Sequence, residues 1–180
     1  MANTVNFIFS SLTVVAQLLT IVLVFTYIKY RKNPNDFFNT IKHHGLTLAF
    51  IASLLSLTGS LIYSDVLGYE PCKFCWFQRI LMYPQVLLLG IAMWKKDTHI
   101  ALYSITLSTL GALLALNHYI LQLSGTSLIP CSAVGYSVSC SKLFVLRFGY
   151  ITIPLMAFSA FILMIVSVQF ARHNNADTTS

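Results

Sequence analysis

Charge is scarce in this chain. Only 9 % of its 180 residues are Asp, Glu, Lys or Arg, where a soluble domain carries about a quarter. So few charges cannot clothe a water-facing surface, but they suit a chain whose solvent is lipid. The net charge of +6 does not point to nucleic acid. The basic residues fall in short clusters between apolar runs, a pattern of membrane orientation rather than phosphate binding. Period-two alternation is also missing, which excludes a transmembrane barrel. The first six residues carry no Lys or Arg, and the apolar run after them ends in Lys29, Arg31 and Lys32 rather than small residues. That argues against a cleaved signal peptide and predicts a retained helix. Internal repeats are absent, and the only biased segment is the polar tail from His173 to Ser180.

What is present is apolar length: 57 % of the residues are hydrophobic. Five stretches run from Phe7 to Ile28, Gly45 to Tyr63, Trp76 to Trp94, Ile100 to Leu123 and Phe148 to Phe170. Each is near the ~20 residues that cross a bilayer as a helix. The third is broken by Gln78, Arg79, Pro84 and Gln85, so its helix must begin near Cys75 or Trp76. Pro34-Asn35-Asp36 is the one plausible linker. Lys29, Arg31, Lys32, Lys42, Lys95, Lys96 and Arg172 lie on one side of the predicted spans, seven of the eleven basic residues. The positive-inside rule makes that side cytoplasmic, with the N-terminus outside and the C-terminus inside.

All four cysteines then face outward, where disulfides persist. Cys72 and Cys75 share one outer loop, and Cys131 and Cys140 the next. A Cys-x-x-Cys is typical of an exchangeable dithiol. Pro71 precedes this one and a helix follows, placing Cys75 near a helix N-terminus. The partial positive charge there, with Lys73 and Arg79, favours the thiolate that attacks disulfides. A structural zinc or two inert disulfides fit the same spacing. Haem attachment does not, because Trp76 rather than histidine follows Cys75.

Arg79 lies one helical turn beyond Cys75 on the same face. A cation at that depth either anchors at the interface or stabilises a nearby thiolate and polarises a bound carbonyl. Asn117, His118 and Gln122 occupy the outer end of the fourth span. Polar groups from two helices beside a thiolate at the membrane surface would suit a lipid-soluble electron acceptor. Asn117 and His118 serving only as interhelical hydrogen bonds is the plainer alternative.

The segment Pro71-Cys72-Lys73-Phe74-Cys75-Trp76-Phe77-Gln78-Arg79-Ile80-Leu81-Met82-Tyr83-Pro84 resembles the head motif of the DsbB family of disulfide-forming membrane oxidoreductases, in its short BdbC-type branch. Two further segments agree: Asn117-His118-Tyr119-Ile120-Leu121-Gln122 and Phe148-Gly149-Tyr150-Ile151-Thr152-Ile153-Pro154. The resemblance implies a four-helix redox core over residues 45–172. Residues 1–44 would form an additional N-terminal transmembrane helix with its cytoplasmic loop, and 173–180 a polar tail. The expected fold is therefore an all-α membrane protein, a four-helix transmembrane bundle plus one extra helix.

The resemblance further implies an enzyme of the bacterial cytoplasmic membrane. It would reoxidise a DsbA- or BdbD-like thioredoxin-fold thiol oxidase and pass two electrons to ubiquinone or menaquinone, with no metal. By motif position, Cys131 would be attacked by the partner and Cys140 would exchange with Cys72. Cys75 would face the quinone, with Arg79 and His118 beside its ring. Two features depart from the larger family members: the additional first helix, and a separation of only eight residues between Cys131 and Cys140. Gly125, Pro130 and Gly135 predict an irregular, mobile loop around that second pair.

Three rivals remain. A vitamin K epoxide reductase-like enzyme has its loop cysteines before the Cys-x-x-Cys, whereas here they follow. A carrier moving electrons outward would need a cysteine mid-membrane or on the cytoplasmic side, and none lies there. A scaffold with structural disulfides is distinguished by resistance to mild reductant.

Overall fold

The computed structural model describes residues 1–30, 36–95, 100–125, 131 and 139–178. Over these the chain is all-α, with no strand among the described residues. The helices are α1 (Ala2–Tyr30), α2 (Asp36–Leu61), α3 (Lys73–Lys95), α4 (Ile100–Ser124) and α5 (Ile153–Thr178), with one π-helical turn, Ile62–Val66, extending α2. All five are long and apolar enough to cross a membrane. The protein is a multi-pass membrane protein.

Helices α2 to α5 close a ring: α2 packs on α3, α3 on α4, α4 on α5, and α5 back on α2. Helix α1 lies outside this ring along α5 and barely meets α2. With no hydrophobic force between helices in lipid, close packing and internal hydrogen bonds hold such a bundle. Gly45 supplies one approach, since a Cβ there would stand 2.5 Å from the Ser167 carbonyl oxygen of α5. Gly111 supplies another, because a Cβ on α4 would overlap the Phe161 ring of α5. Between α3 and α4 the buried Gln85 side-chain oxygen accepts from Ser104 at 2.8 Å and Ser108 at 2.9 Å. Large apolar residues such as Val15, Ile21, Leu87 and Leu113 face outward.

The helix ends differ from the apolar runs. Helix α2 starts at Asp36 rather than Gly45, and its first turns carry the buried Lys42, whose Nζ lies 5.8 Å from the centre of the Phe38 ring. Backbone hydrogen bonding does not stop where hydropathy does. Helix α3 starts at Lys73, because Cys72 caps it: the Trp76 amide donates to the Cys72 carbonyl at 3.1 Å. Helix α5 starts at Ile153 rather than Phe148. Phe148 and Gly149 adopt positive φ, and Arg147 and Ile151 exchange backbone hydrogen bonds of 2.9 and 2.8 Å in a tight turn. Helix α5 then runs on to Thr178, into the polar tail. Of the expected linker only Asp36 is described. Arg31, Lys32, Lys96, Pro130 and Gly135 lie outside the described residues.

Candidate functional site

The four cysteines meet at one end of the bundle. Cys72, Cys140, Phe74 and Leu121 form a small buried cluster, with Cys75, Cys131 and Leu114 packed on it. Cys131 and Cys140 are joined by a disulfide, their Cα atoms 6.2 Å apart, and Cys72 and Cys75 are free. The short α3 register explains the second pair. Cys72 as cap and Cys75 in the first turn bring their sulfurs to 3.3 Å.

Behind Cys72 stands His118 of α4, 1 % exposed. The Gln78 amide Nε2 donates to His118 Nδ1 at 3.1 Å. The neutral ring therefore carries its proton on Nε2. From there it donates to the Cys140 carbonyl at 3.1 Å and faces Cys72 Sγ at 3.6 Å. His118 thus bridges the two cysteine pairs. The Cys72 thiol is held down to about 4, first by the hydrogen bond from the Cys75 thiol, against the opposing effect of burial, and with a further contribution from His118. Helix capping adds a favourable dipole for the same anion. The groups gathered at the helix cap favour a thiolate at Cys72.

Cys75 faces the other way, into a cavity of about 210 Å³ between α1, α2, α3 and α5. Arg79 lines the same cavity, held by α2: its Nε donates to Ser60 Oγ at 2.9 Å and one terminal nitrogen to the Ser60 carbonyl at 3.0 Å. Tyr83 donates to the same hydroxyl at 3.2 Å. The Arg79 guanidinium also lies over the Trp76 ring, 5.2 Å from its centre. At the end of the bundle that holds the cysteines, a stack of Tyr63, Tyr69 and Phe144 closes the cavity, with centroids 5.9 and 4.9 Å apart and planes within 16° and 17°. Tyr63 is the buried residue of the π-helical turn, and such turns recur at functional sites.

The structure therefore brings Cys72, Cys75, Cys131 and Cys140 together and places Arg79 beside Cys75. His118 sits among the cysteines and not on the cavity wall. Gln122 ties the segment after Cys140 to α4, donating to the Lys142 carbonyl at 3.1 Å. Sequence reasoning missed Ser60, Tyr63, Tyr69 and Phe144, and every cavity residue from α1. Gln78 had left a signal, a polar residue interrupting an apolar run.

The family model for disulfide bond formation protein DsbB matches residues 42–171, a stretch that holds all four cysteines, Arg79 and His118 and leaves α1 outside. The chain is 43 % identical over 121 residues to the probable disulfide formation protein of Oceanobacillus iheyensis, covering 67 % of this chain and 83 % of that one. Over 123 residues it is 42 % identical to disulfide bond formation protein C of Bacillus subtilis, covering 67 % of this chain and 87 % of the relative. To the probable disulfide formation protein C 1 of Bacillus anthracis it is 41 % identical over 125 residues, 69 % of this chain and 89 % of that protein. No solved structure gives a significant match.

Proposed function

The chain belongs to the DsbB family of disulfide bond formation proteins, and from that premise we propose that it is a relay carrying electrons from an extracytoplasmic thioredoxin-fold dithiol to a quinone in the bilayer. One observation carries this reading. Cys72 shares a buried cluster with the loop disulfide while Cys75, 3.3 Å away, opens onto an apolar cavity beside Arg79.

The cavity suits such an acceptor. An apolar cavity of about 150 Å³ accommodates benzene, so about 210 Å³ takes a ring with substituents. A guanidinium has five N–H donors. Ser60 takes two of the Arg79 set, fixing the group at the wall where a carbonyl oxygen would accept from it. Ubiquinone and menaquinone both meet these requirements.

The protein steps are thiol–disulfide exchanges. The partner's thiolate attacks Cys131 and releases Cys140 as thiolate; the partner's second thiol then displaces Cys131, leaving the partner oxidised and the loop pair reduced. Cys140 attacks Cys72 of a Cys72–Cys75 disulfide and frees Cys75. Cys131 next displaces Cys72 from Cys140. The products are a Cys131–Cys140 disulfide and free Cys72 and Cys75, the arrangement observed. Closing Cys72–Cys75 again releases two electrons and, with Cys72 as thiolate, only the Cys75 proton; a quinone accepting the electron pair would take its second proton from the aqueous phase. His118 holds the Cys72 sulfur and the Cys140 backbone in register for the transfer between pairs.

The basic residues Lys29, Lys42, Lys95 and Arg172 stand at the opposite end from the cysteines, on helices that alternate in direction. This supports cysteines and N-terminus outside the bacterial cytoplasmic membrane and the C-terminus inside.

The test is quinone reduction by the purified protein supplied with a reduced thioredoxin-fold dithiol. Cys75→Ser is expected to abolish quinone reduction while the Cys131–Cys140 pair still exchanges with the partner. Full turnover in that variant would falsify the relay.

A further inference from the structure

Helix α1 lies outside the stretch that the family model matches, yet Phe9, Leu12, Thr13 and Ala16 of α1 line the same cavity as Cys75 and Arg79. We propose that α1 is the fourth helical wall of the acceptor site, beside α2, α3 and α5, and that Phe9 closes the gap between α1 and α2 through which a lipid-dissolved quinone ring reaches Cys75. This rests on the relay reading and adds to it a wall that a four-helix core does not supply.

Several contacts fix α1 in place. Its buried polar residues Asn6, Ser10 and Thr13 continue into Gln17 at spacings of four, three and four, one face of a helix turned to the bundle. Gln17 donates to Ser159 of α5 at 3.0 Å and accepts from the Tyr150 hydroxyl at 3.1 Å. Arg147 donates to the Asn3 carbonyl at 3.1 Å, and Phe7 meets Phe148 with ring centres 6.4 Å apart. All four contacts run to α5 or the turn before it. On its other side α1 barely meets α2.

Phe9 is where α1 does reach α2. Its ring lies 5.5 Å from that of Tyr63, and a Cβ on Gly59 would stand 2.7 Å from its nearest ring carbon. Gly59 therefore gives Phe9 a seat that any larger residue would fill. With Phe9 seated, the apolar side chains of α1 face the α3 wall that carries Cys75 and Arg79. A planar ring between these walls is held on both faces, while an apolar tail can leave toward lipid between α1 and α2. An aromatic side chain turning about two bonds is a suitable closure for such a gap.

The experiment compares four full-length proteins: unaltered, Phe9→Ala, Ala16→Trp and Val15→Trp. Val15 is on α1 but points to lipid, 60 % exposed. For Phe9→Ala the KM for a short-chain quinone is expected to rise about tenfold with kcat at saturating quinone kept, as for loss of uniform binding. Ala16→Trp fills the cavity, so quinone reduction falls by a similar or larger factor while exchange at Cys131–Cys140 continues. Val15→Trp leaves both unchanged. Independently of turnover, a photoreactive quinone analogue should label the unaltered protein within residues 2–30. If the unaltered protein turns over quinone but labelling misses α1, or if neither Phe9→Ala nor Ala16→Trp changes the quinone KM, the α1 wall is wrong and the relay stands. If the unaltered protein reduces no quinone, the relay reading fails and takes the wall with it.

Discussion

At the cap of α3 the Cys72 sulfur gathers a hydrogen bond from the Cys75 thiol, the facing Nε2–H of His118 and the helix dipole. Burial opposes ionisation, and the thiol is nonetheless held down to about 4. The sign follows from linkage. An acid with a depressed folded value binds fewer protons than in the unfolded chain, so the stability it contributes rises with pH and is lost as pH falls through about 4. With the loop cysteines bonded, Cys72 and Cys75 are the only thiols that titrate. The ultraviolet absorbance of thiolate should therefore persist through neutral pH and disappear with a midpoint near 4. His118→Ala should move that midpoint upward, toward the ordinary thiol range of about 8.5. A midpoint already in the ordinary range in the unaltered protein would refute the arrangement around Cys72. A thiolate at Cys72 would have a chemical use in the proposed relay: a low-pKa thiol is a good leaving group, so a disulfide between it and Cys140 would be readily displaced by Cys131.

At the scale of elements, the bundle depends on places where helices approach too closely for a side chain. Gly111 of α4 is one, with the buried Phe161 ring of α5 against it. Gly111→Ala inserts a methyl group into that contact, and overpacking of this kind costs about 1–3 kcal/mol. Thermal unfolding in detergent should show the loss, and adding Phe161→Leu should recover much of it. Additive losses in the double variant would mean that the glycine matters for another reason. The five spans themselves were legible in the sequence because lipid demands long apolar runs. Their ends were not, because caps and turns decide them: Cys72 begins α3, and the Phe148–Gly149 turn delays α5. The inward faces were equally hidden, since a helix apolar all round has no period to show which side is buried. For that reason the cysteines, Arg79 and Gln78 stood out as reactive or polar residues in apolar surroundings, while Phe9, Ser60 and Tyr63 looked like ordinary membrane or loop residues. Proximity of His118 to the cysteines rather than the cavity wall depended on the rotation of α4, which no spacing reveals.

For the molecule as a whole, the proposed relay requires electrons to travel from the Cys131–Cys140 pair to a cavity between helices. A long route would require the loop to swing, but the cysteines already share one apolar cluster. Cys140 is 1 % exposed within it, and His118 Nε2 contacts both the Cys140 carbonyl and the Cys72 sulfur. Cys131 is the more open member of the loop pair, and in the proposed relay it is the one a soluble partner would reach. In the proposed relay, transfer between the pairs would then be a local exchange, with partner access at Cys131 and internal exchange at Cys140. This division predicts what isolated pairs do. With Cys75→Ala and Cys131→Ala combined, the remaining Cys72 and Cys140 should form a disulfide readily under a mild low-molecular-weight disulfide oxidant, detectable by mass spectrometry of linked peptides. With Cys75→Ala and Cys140→Ala combined, Cys72 and Cys131 should link more slowly. If Cys131 captures Cys72 faster than Cys140 does, the roles of the two loop cysteines are reversed, and the partner must enter the relay through Cys140.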